Sequence, residues 1–208
     1  MKKIASEILD RLEEQFPNAK CELNYTTPFE LLVAVILSAQ CTDKRVNEVT
    51  KTLFLKYNSP EDFASLTVEE LGKLIFSCGF YKSKATSIIE TSKALLDMFD
   101  GKVPKDVESL VTLRGVGRKT ANVVRSEAYG VPAIAVDTHV LRTANRLGFT
   151  KSNEPNVVEQ DLMKYIDEAR WSKAHHLLIF LGRYCCSSRN PKCDECMVKN
   201  FCKYSERE

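Results

Sequence analysis

Apolar residues recur every three or four positions along most of this chain, which is the period of one face of an α-helix. Three groups follow this spacing: Ile4, Ile8, Leu9, Leu12 and Phe16; Leu71, Leu74 and Ile75; and Ile88, Leu95, Leu96 and Phe99. The most apolar run, FELLVAVILSA (29–39), is too short to cross a bilayer and predicts a buried helix. The only strand-like run, VPAIAV (131–136), is short and isolated. We therefore predict an all-α protein of about ten helices.

Capping signals indicate where several of these helices begin. Thr27-Pro28-Phe29-Glu30 and Thr67-Val68-Glu69-Glu70 each place a hydroxyl cap three residues before a glutamate, the pattern of a capping box. Ser59-Pro60-Glu61-Asp62 is similar, and we expect a cap there without the full box. Pro104 and Pro155 each stand where a new helix is expected to begin.

Composition and charge narrow the class of protein only slightly. The 208 residues are 44% hydrophobic, enough for a core, and the net charge is +2. Residues 1–101 carry 12 Lys and Arg against 15 Asp and Glu, and residues 102–208 carry 18 against 13, so the positive excess lies in the second half. This asymmetry suits a polyanion bound to one side. The acids near the N-terminus argue against a signal or transit peptide, so we expect a cytoplasmic protein, associated with the nucleoid in a cell without organelles. We also expect a monomer that does not bind a membrane.

The stretch LRGVGRKTANVV (113–124) places two glycines before a basic pair and a helical pattern. It is not a nucleotide P-loop, because that motif needs lysine directly after its last glycine, and here Arg118 separates Gly117 from Lys119. The loop alone leaves two interpretations open. Glycines and the free N–H groups of a helix start can bind another phosphate, or the loop is an ordinary hinge between two helices.

Four cysteines near the C-terminus have the spacing C-x6-C-x2-C-x5-C: Cys186, Cys193, Cys196 and Cys202. Thiols clustered this tightly, with basic residues among them, indicate a metal site. Disulfides are not expected without a secretion signal. The spacing by itself leaves structural zinc and an iron–sulfur cluster about equally open. Three other cysteines are scattered and are expected to be buried apolar side chains: Cys21, Cys41 and Cys78.

Taken together, these motifs resemble the endonuclease III family of helix-hairpin-helix DNA glycosylases with abasic-site lyase activity. The resemblance runs over almost the whole chain. It includes LSAQCTDKRVN (37–47), CGFYKSKA (78–85), LRGVGRKTANVV (113–124), AVDTHVLRTANRLG (135–148), LGRYCCSSRNPKC (181–193) and the four-cysteine spacing. One position departs from the family's L-P-G-V-G hairpin: Arg114 replaces the proline that would stiffen the turn.

The resemblance implies a cofactor and a division into domains. Cysteines at these four positions imply a [4Fe–4S] cluster, held in a C-terminal loop. A six-helix domain containing the helix-hairpin-helix is expected over 22–131. A second helical domain, bearing the cluster, is expected from 1–21 together with 132–208.

The resemblance also implies the chemistry of base excision repair on double-stranded DNA. Lys119 falls on the family's nucleophile, an amine that displaces an oxidised pyrimidine and cleaves the abasic site by β-elimination through a Schiff base. The attacking amine must be neutral, and we expect Arg118 and the positive end of the following helix to favour that form. Asp137 falls on the family's aspartate, expected to stabilise charge developing on the sugar. From the sequence alone, Asp137 would be a helix N-cap, and both roles are compatible.

Further residues are expected to contact DNA. Gln40 matches the family's residue that enters the gap left by the flipped nucleotide, and Phe80 falls where a leucine wedge is often found. The remaining candidates are Gly115, Val116, Gly117 and Arg118 of the hairpin, His139 near the active site, and Arg189 and Lys192 between the cysteines. His139 is equally well explained as a packed, satisfied histidine.

Two other classes of protein compete with the bifunctional enzyme. Monofunctional adenine- or mismatch-specific relatives lack a lysine at the position of Lys119, which this chain has. A non-enzymatic DNA-binding or electron-transfer protein could use the hairpin and the cluster alone. It would leave the pairing of Lys119 with Asp137 unexplained.

Overall fold

The computed structural model describes residues 1–204, and all regular secondary structure in that range is helical. The prediction of an all-α protein is confirmed. The chain separates into two compact units, one formed by Glu22–Gly130 and the other by Met1–Cys21 with Val131–Glu208. The first unit is continuous in sequence, whereas the second joins the N-terminal segment to the C-terminal third of the chain.

The unit formed by residues 22–130 contains seven α-helices and one 3₁₀ turn. The helices are α2 (Pro28–Ser38), α3 (Asp43–Leu53), α4 (Pro60–Ala64), α5 (Val68–Leu74), α6 (Tyr81–Phe99), α7 (Val107–Leu110) and α8 (Arg118–Tyr129), and the turn is Phe76–Cys78. Residues 29–37 of α2 are all buried, which confirms the buried helix predicted from the apolar run. Helix α2 packs against α6 and α8, so the core of this unit lies around it.

Local capping explains where these helices begin, with three departures from the sequence prediction. The box at Thr67 and Glu70 is present as predicted. Ser59 and Asp62 form a full box, which was not expected from the sequence. Glu30 reaches one residue further than expected and accepts from the backbone N–H of Thr26 at 2.6 Å. Pro104 does not begin a helix, because Asp106 caps α7 three residues before Ser109.

The second unit contains α1 (Lys2–Gln15), α9 (Thr138–Leu147), α10 (Pro155–Tyr165) and α11 (Trp171–Phe180). Pro155 stands at the start of α10, as predicted. Within the described residues, this unit also contains three 3₁₀ turns: Glu168–Arg170, Cys193–Glu195 and Lys199–Phe201. It contains one π-helical turn, Leu181–Cys185. The strand-like segment 131–136 has no regular secondary structure, and no strand is found in the part of the chain that the structure describes.

Helix α1 belongs to this second core. Its buried face, Ile8, Leu9 and Leu12, contributes to the same cluster as side chains of α9, α10 and α11. Arg170 adds a polar connection, since its guanidinium pairs with Asp10 at 2.7 Å and with Glu13 at 3.2 Å. The N-terminal helix and the C-terminal third of the chain therefore share one core.

Candidate active site and metal centre

The glycine turn before α8 is possible only because Gly115 has no side chain. Gly115 has φ +79°, a left-handed conformation that other residues adopt at a cost. A Cβ atom there would lie 2.9 Å from Cβ and 3.0 Å from Oγ of Ser87 on α6. The hairpin backbone therefore lies directly on α6, and this glycine is required by packing as well as by its backbone conformation.

Arg114, which replaces the expected proline, is held to α6 by two neighbouring residues. Its Nη1 donates to both carboxylate oxygens of Glu90, at 2.8 and 2.7 Å. Thr91 Oγ1 donates to the Arg114 carbonyl at 2.8 Å. Ser87, Glu90 and Thr91 share one face of α6 because they are three and four residues apart. Polar contacts to this face thus restrain the turn that proline would otherwise stiffen.

Gly117 differs from Gly115 in that nothing fills the space beside it. Its φ is −89°, which any residue adopts, and no heavy atom lies within 4 Å of the position that a Cβ would take. Gly117 is the N-cap of α8, and no side chain caps the free N–H groups of that helix. Exposed N–H groups at a helix start form a site for an anion. Val116, between the two glycines, points into the core and is 5% exposed.

Lys119 is the second residue of α8, and its side chain is exposed. Within residues 1–204 it makes no ion pair and no side-chain hydrogen bond, so its amine is available to a ligand. Arg118, also exposed, precedes it. An amine with no partner among residues 1–204 therefore lies in the first turn of α8. The free N–H groups of the same turn can bind a phosphate.

Gln40 and Phe80 have the same unusual backbone conformation. Gln40 has φ 52° and Phe80 has φ 46°, and only one other non-glycine residue in the described chain, Asp100, has a positive φ. Both side chains are exposed, Phe80 to 70%. Left-handed conformations cost a non-glycine residue about 1–2 kcal/mol, and such strain is concentrated at functional sites.

Asp137 in the second unit caps α9, as the sequence alone suggested. Its Oδ1 accepts from the backbone N–H of His139 at 2.9 Å and from that of Val140 at 2.8 Å. Its other carboxylate oxygen has no hydrogen-bond partner within residues 1–204. His139 is half-buried, and its Nδ1 lies 3.2 Å from Nη2 of Arg142, which is the donor. One oxygen of Asp137 is thus fixed by the helix, and the other is available to a ligand.

Two arginines on α9 hold the cysteine-bearing loop, a function that the sequence did not reveal. Arg142 donates to the carbonyls of Cys186 at 3.0 Å and Gly182 at 2.8 Å. Arg146 donates to the carbonyl of Ser187 at 2.7 Å and to Sγ of Cys186 at 3.1 Å. The pKa of Arg142 is lowered, mainly by burial. The guanidinium nevertheless remains charged. The i, i+4 spacing of the two arginines is the signal that could have revealed this face.

The four cysteines of the predicted metal site line one small cavity. Its other lining residues are Cys185, Pro191, Lys192, Lys199 and Tyr204. Among residues 1–204, no group of three His, Cys, Asp or Glu side chains is arranged to hold a single metal ion. The four cysteine side chains suit an iron–sulfur cluster, because cysteine thiolates bind such clusters and the spacing of the cysteines along the chain can be uneven. Burial raises the pKa of the Cys196 thiol to about 12, and a bound cation would favour its thiolate.

The remaining cysteines and basic residues differ in their surroundings. Of the three scattered cysteines, only Cys78 is buried, so the expectation was wrong for Cys21 and Cys41, which are partly exposed. Arg189 is exposed and makes no ion pair or hydrogen bond within residues 1–204. Lys192 is also exposed but has Glu195 at 3.7 Å. Of the two basic residues in the cysteine loop, Arg189 is therefore the more available to an anion.

Comparisons with known proteins agree with this geometry. Residues 33–168 match the family described as HhH-GPD superfamily base excision DNA repair protein. Endonuclease III of Bacillus subtilis (strain 168) is 50% identical over 200 residues, which are 96% of this chain and 91% of that protein. The chain belongs to the endonuclease III family. The family prediction made from the sequence motifs is thus confirmed.

Other members of the endonuclease III family and its structural relatives extend the comparison. Endonuclease III of Escherichia coli (strain K12) is 45% identical over 97% of this chain and 95% of that protein. A trapped endonuclease III–DNA covalent intermediate has a TM-score of 0.95 and 48% identity, covering 100% of this chain and 98% of that one. A thermostable thymine-DNA glycosylase, 22% identical with a TM-score of 0.89, shares the fold.

No helix in the described residues is long and apolar enough to cross a membrane.

The two hairpin glycines should respond differently to alanine. Gly115→Ala forces a left-handed alanine against Ser87, so we expect the free energy of unfolding to fall by at least about 1–2 kcal/mol. Gly117→Ala has an ordinary φ and open space, so we expect stability to stay near that of the wild type. Denaturant unfolding followed by circular dichroism measures both. Equal losses of stability in the two variants would contradict the packing described for Gly115.

Proposed function

We propose that this protein is a base excision repair enzyme, a bifunctional DNA glycosylase that removes oxidised pyrimidines and cleaves the resulting abasic site. The observation that carries the proposal is Lys119, an exposed amine without a partner in residues 1–204, directly after the glycine turn. Membership in the endonuclease III family supports it. A relative of 48% identity is described as a trapped covalent intermediate with DNA. A covalent intermediate requires a nucleophile, and Lys119 can supply one.

The reaction begins when the neutral amine of Lys119 attacks C1′ of the damaged nucleotide. The bond from C1′ to the base breaks, and the base leaves with the electron pair and gains a proton. The nitrogen gives up the proton that the base gains, the C1′–O4′ bond then breaks as O4′ takes a proton from water, and a protonated Schiff base forms between Nζ and C1′. The Schiff base acidifies the C2′ hydrogen. Removal of that proton breaks the C3′–O bond, the 3′ phosphate leaves, and hydrolysis of the imine returns the free amine.

Asp137 is proposed to stabilise the positive charge that develops on the sugar as the base departs. Its Oδ1 is occupied by the α9 N-cap, which fixes the carboxylate in place. The second oxygen is left for the substrate. A preorganised charge of this kind acts without reorganising during the reaction, which is why it lowers the barrier. His139, linked to Arg142, is proposed to lie near the same site.

The target base lies inside the duplex, so the nucleotide must be flipped out before Lys119 can reach its sugar. We assign this step to Gln40, which would fill the gap left in the helix, and to Phe80, which would stack on an exposed base. An aromatic ring suits such stacking because every base presents a π-face. Exposure of both side chains on strained turns supports these roles.

Phosphate contacts are assigned to two places. The hairpin residues Gly115, Val116 and Gly117 would offer backbone N–H groups, with Arg118 beside them. Open space next to Gly117 supports this, because a phosphate could approach the backbone closely. In the cysteine loop, Arg189 and Lys192 would add charge to the binding of any duplex, independent of its sequence.

We further propose that Cys186, Cys193, Cys196 and Cys202 hold a [4Fe–4S] cluster. When bound, the cluster would supply the positive charge that keeps four thiolates together and would fix the loop between the cysteines. Arg142 and Arg146 connect that loop to α9, whose N-cap is Asp137. We propose that residues 22–131 form the domain of the hairpin and that 1–21 with 132–208 form the domain of the cluster.

Replacement of the nucleophile tests the proposed function directly. Lys119→Gln should abolish both borohydride trapping of a protein–DNA adduct and strand cleavage, because glutamine has no nucleophilic amine. Binding to a duplex with an uncleavable abasic analogue should persist, since the hairpin backbone is unchanged. Lys93→Gln, an exposed lysine on α6, is the matched control and should behave as the wild type. A trapped adduct with Lys119→Gln would show that another amine is the nucleophile.

Replacement of Asp137 separates its charge from its role as a cap. Asparagine is as good an N-cap as aspartate, so Asp137→Asn should leave the free energy of unfolding almost unchanged. Base release should slow by about 10²–10³-fold, the effect of removing one preorganised electrostatic group. Single-turnover kinetics on a duplex with thymine glycol measures the rate. Unchanged base release would restrict Asp137 to capping α9.

Metal analysis tests the cofactor. Protein purified without oxygen should contain about four irons per chain and absorb as an iron–sulfur protein does. Cys193→Ala should lose iron and solubility together, because the loop would no longer be closed. Cys21→Ala, outside the cavity, should keep its iron. Zinc in place of iron in anaerobic wild-type protein would overturn the assignment.

A further inference from the structure

Lys84 is a buried lysine for which the proposed reaction has no use. It lies on the first turn of α6, and only 6% of its surface is exposed. No carboxylate pairs with it in the part of the chain that the structure describes. A buried charge without a counter-ion is costly unless polar groups surround it. Such a residue calls for a physical reason, and its contacts supply one.

The ammonium of Lys84 connects the ends of two helical elements. Its Nζ donates to the carbonyl of Leu37 at 2.8 Å and, by a very short bond, to that of Cys78. Leu37 lies in the last turn of α2, and Cys78 is the last residue of the 3₁₀ turn Phe76–Cys78. Carbonyls at helix ends lack helical partners and carry partial negative charge. They therefore act in place of a carboxylate.

The two carbonyls lie close to the two strained residues. Gln40 follows Leu37 by three residues, and Phe80 follows Cys78 by two. The backbone N–H of Lys84 also donates to the Phe80 carbonyl at 3.1 Å. Lys84 thus binds the carbonyls of Cys78 and Phe80 in one turn. It also binds the carbonyl of Leu37, where the turn that contains Gln40 begins. One side chain is thus hydrogen-bonded to a residue of each loop's preceding helical element.

The surroundings of the amine leave it little freedom. Burial raises the pKa of the Cys78 thiol to about 11, and the neighbouring Cys41 thiol of the other loop adds to this effect. Burial lowers the pKa of Lys84, as expected for an amine away from water. Because it is buried, Lys84 cannot serve as a nucleophile for DNA. An apolar side chain would fill the space, but only a donor can hold both carbonyls.

We propose that Lys84 is a positioning residue for base extrusion, holding the Gln40 and Phe80 turns at a fixed separation so that both side chains enter the duplex together. This inference rests on the proposed function, since it assumes that Gln40 and Phe80 act on DNA. The LSAQ and CGFYKSKA motifs, which contain Gln40 and Phe80, would then act together in extruding the nucleotide. Lys84 touches neither the substrate nor the reacting atoms.

The test compares two reactions that need extrusion to different degrees. Lys84→Met keeps the length and apolar body of the side chain but removes the donors, and Lys93→Met on the same helix is the control. On a duplex with thymine glycol, we expect Lys84→Met to slow base release by about 10–10²-fold, the scale of a small misplacement. Strand cleavage at an abasic site in a single strand needs no extrusion, and we expect it to match the wild type. Lys93→Met should match the wild type in both reactions.

A double-mutant comparison shows whether Lys84 acts through the two turns. In a Gln40→Ala, Phe80→Ala background, Lys84→Met should slow base release no further, because residues acting as one unit are not additive. A full additional loss in that background would overturn the inference. Equal losses on duplex and single strand would also overturn it, because they indicate a general effect on the fold.

Two further measurements keep the inference testable. The fluorescence of 2-aminopurine beside an uncleavable abasic analogue should rise on binding to the wild type and rise less with Lys84→Met; an equal rise would contradict the inference. If Lys84→Met does not fold, Lys84→Gln keeps an uncharged N–H donor group on a shorter side chain and should show an intermediate loss of base release, whereas wild-type rates would overturn the inference. If the wild type neither releases thymine glycol nor forms a trapped adduct, the proposed function fails instead.

Discussion

No methyl group fits between Gly115 and Ser87, and the arrangement of the hairpin unit depends on that contact. Because the backbone of the turn lies directly on α6, the start of α8 and its Lys119 take their position from the same helix. About one turn closer to its N-terminus, α6 also supplies Lys84. A single helix of 19 residues therefore sets the position of the proposed nucleophile and of both turns proposed to enter the duplex.

Much of the fold could be predicted because it depends on local signals. The apolar period identified α1 and α2, and hydroxyl–acid pairs located the starts of α2 and α5. Two predictions of helix starts were inexact. At Ser59, aspartate completes the capping box as glutamate would. At Pro104, the predicted start is replaced by the N-cap at Asp106, two residues later. Contacts between distant segments, such as Arg170 with Asp10, left no local trace in the sequence.

The candidate site was predictable in its residues but not in its supports. Spacing and resemblance were enough to identify Lys119, Asp137 and the four cysteines as candidates. Lys84 was missed because its helical position is that of an ordinary core residue, and a buried lysine is exceptional. Arg142 and Arg146 were missed because most of their acceptors are backbone carbonyls about 40 residues away. Backbone acceptors are the same for every residue type, so the sequence does not identify them.

The discontinuous second unit has a consequence for biosynthesis. Its N-terminal part, Met1–Cys21, leaves the ribosome before its packing partners, which begin only at Val131. About 110 residues separate the two parts, and at 5–20 residues per second their synthesis takes roughly 5–20 s. During that interval the apolar face of α1 has no core to join, while the continuous unit 22–130 can already fold. The second core is therefore completed only once α9, α10 and α11, the partners of α1 in that core, have been synthesised.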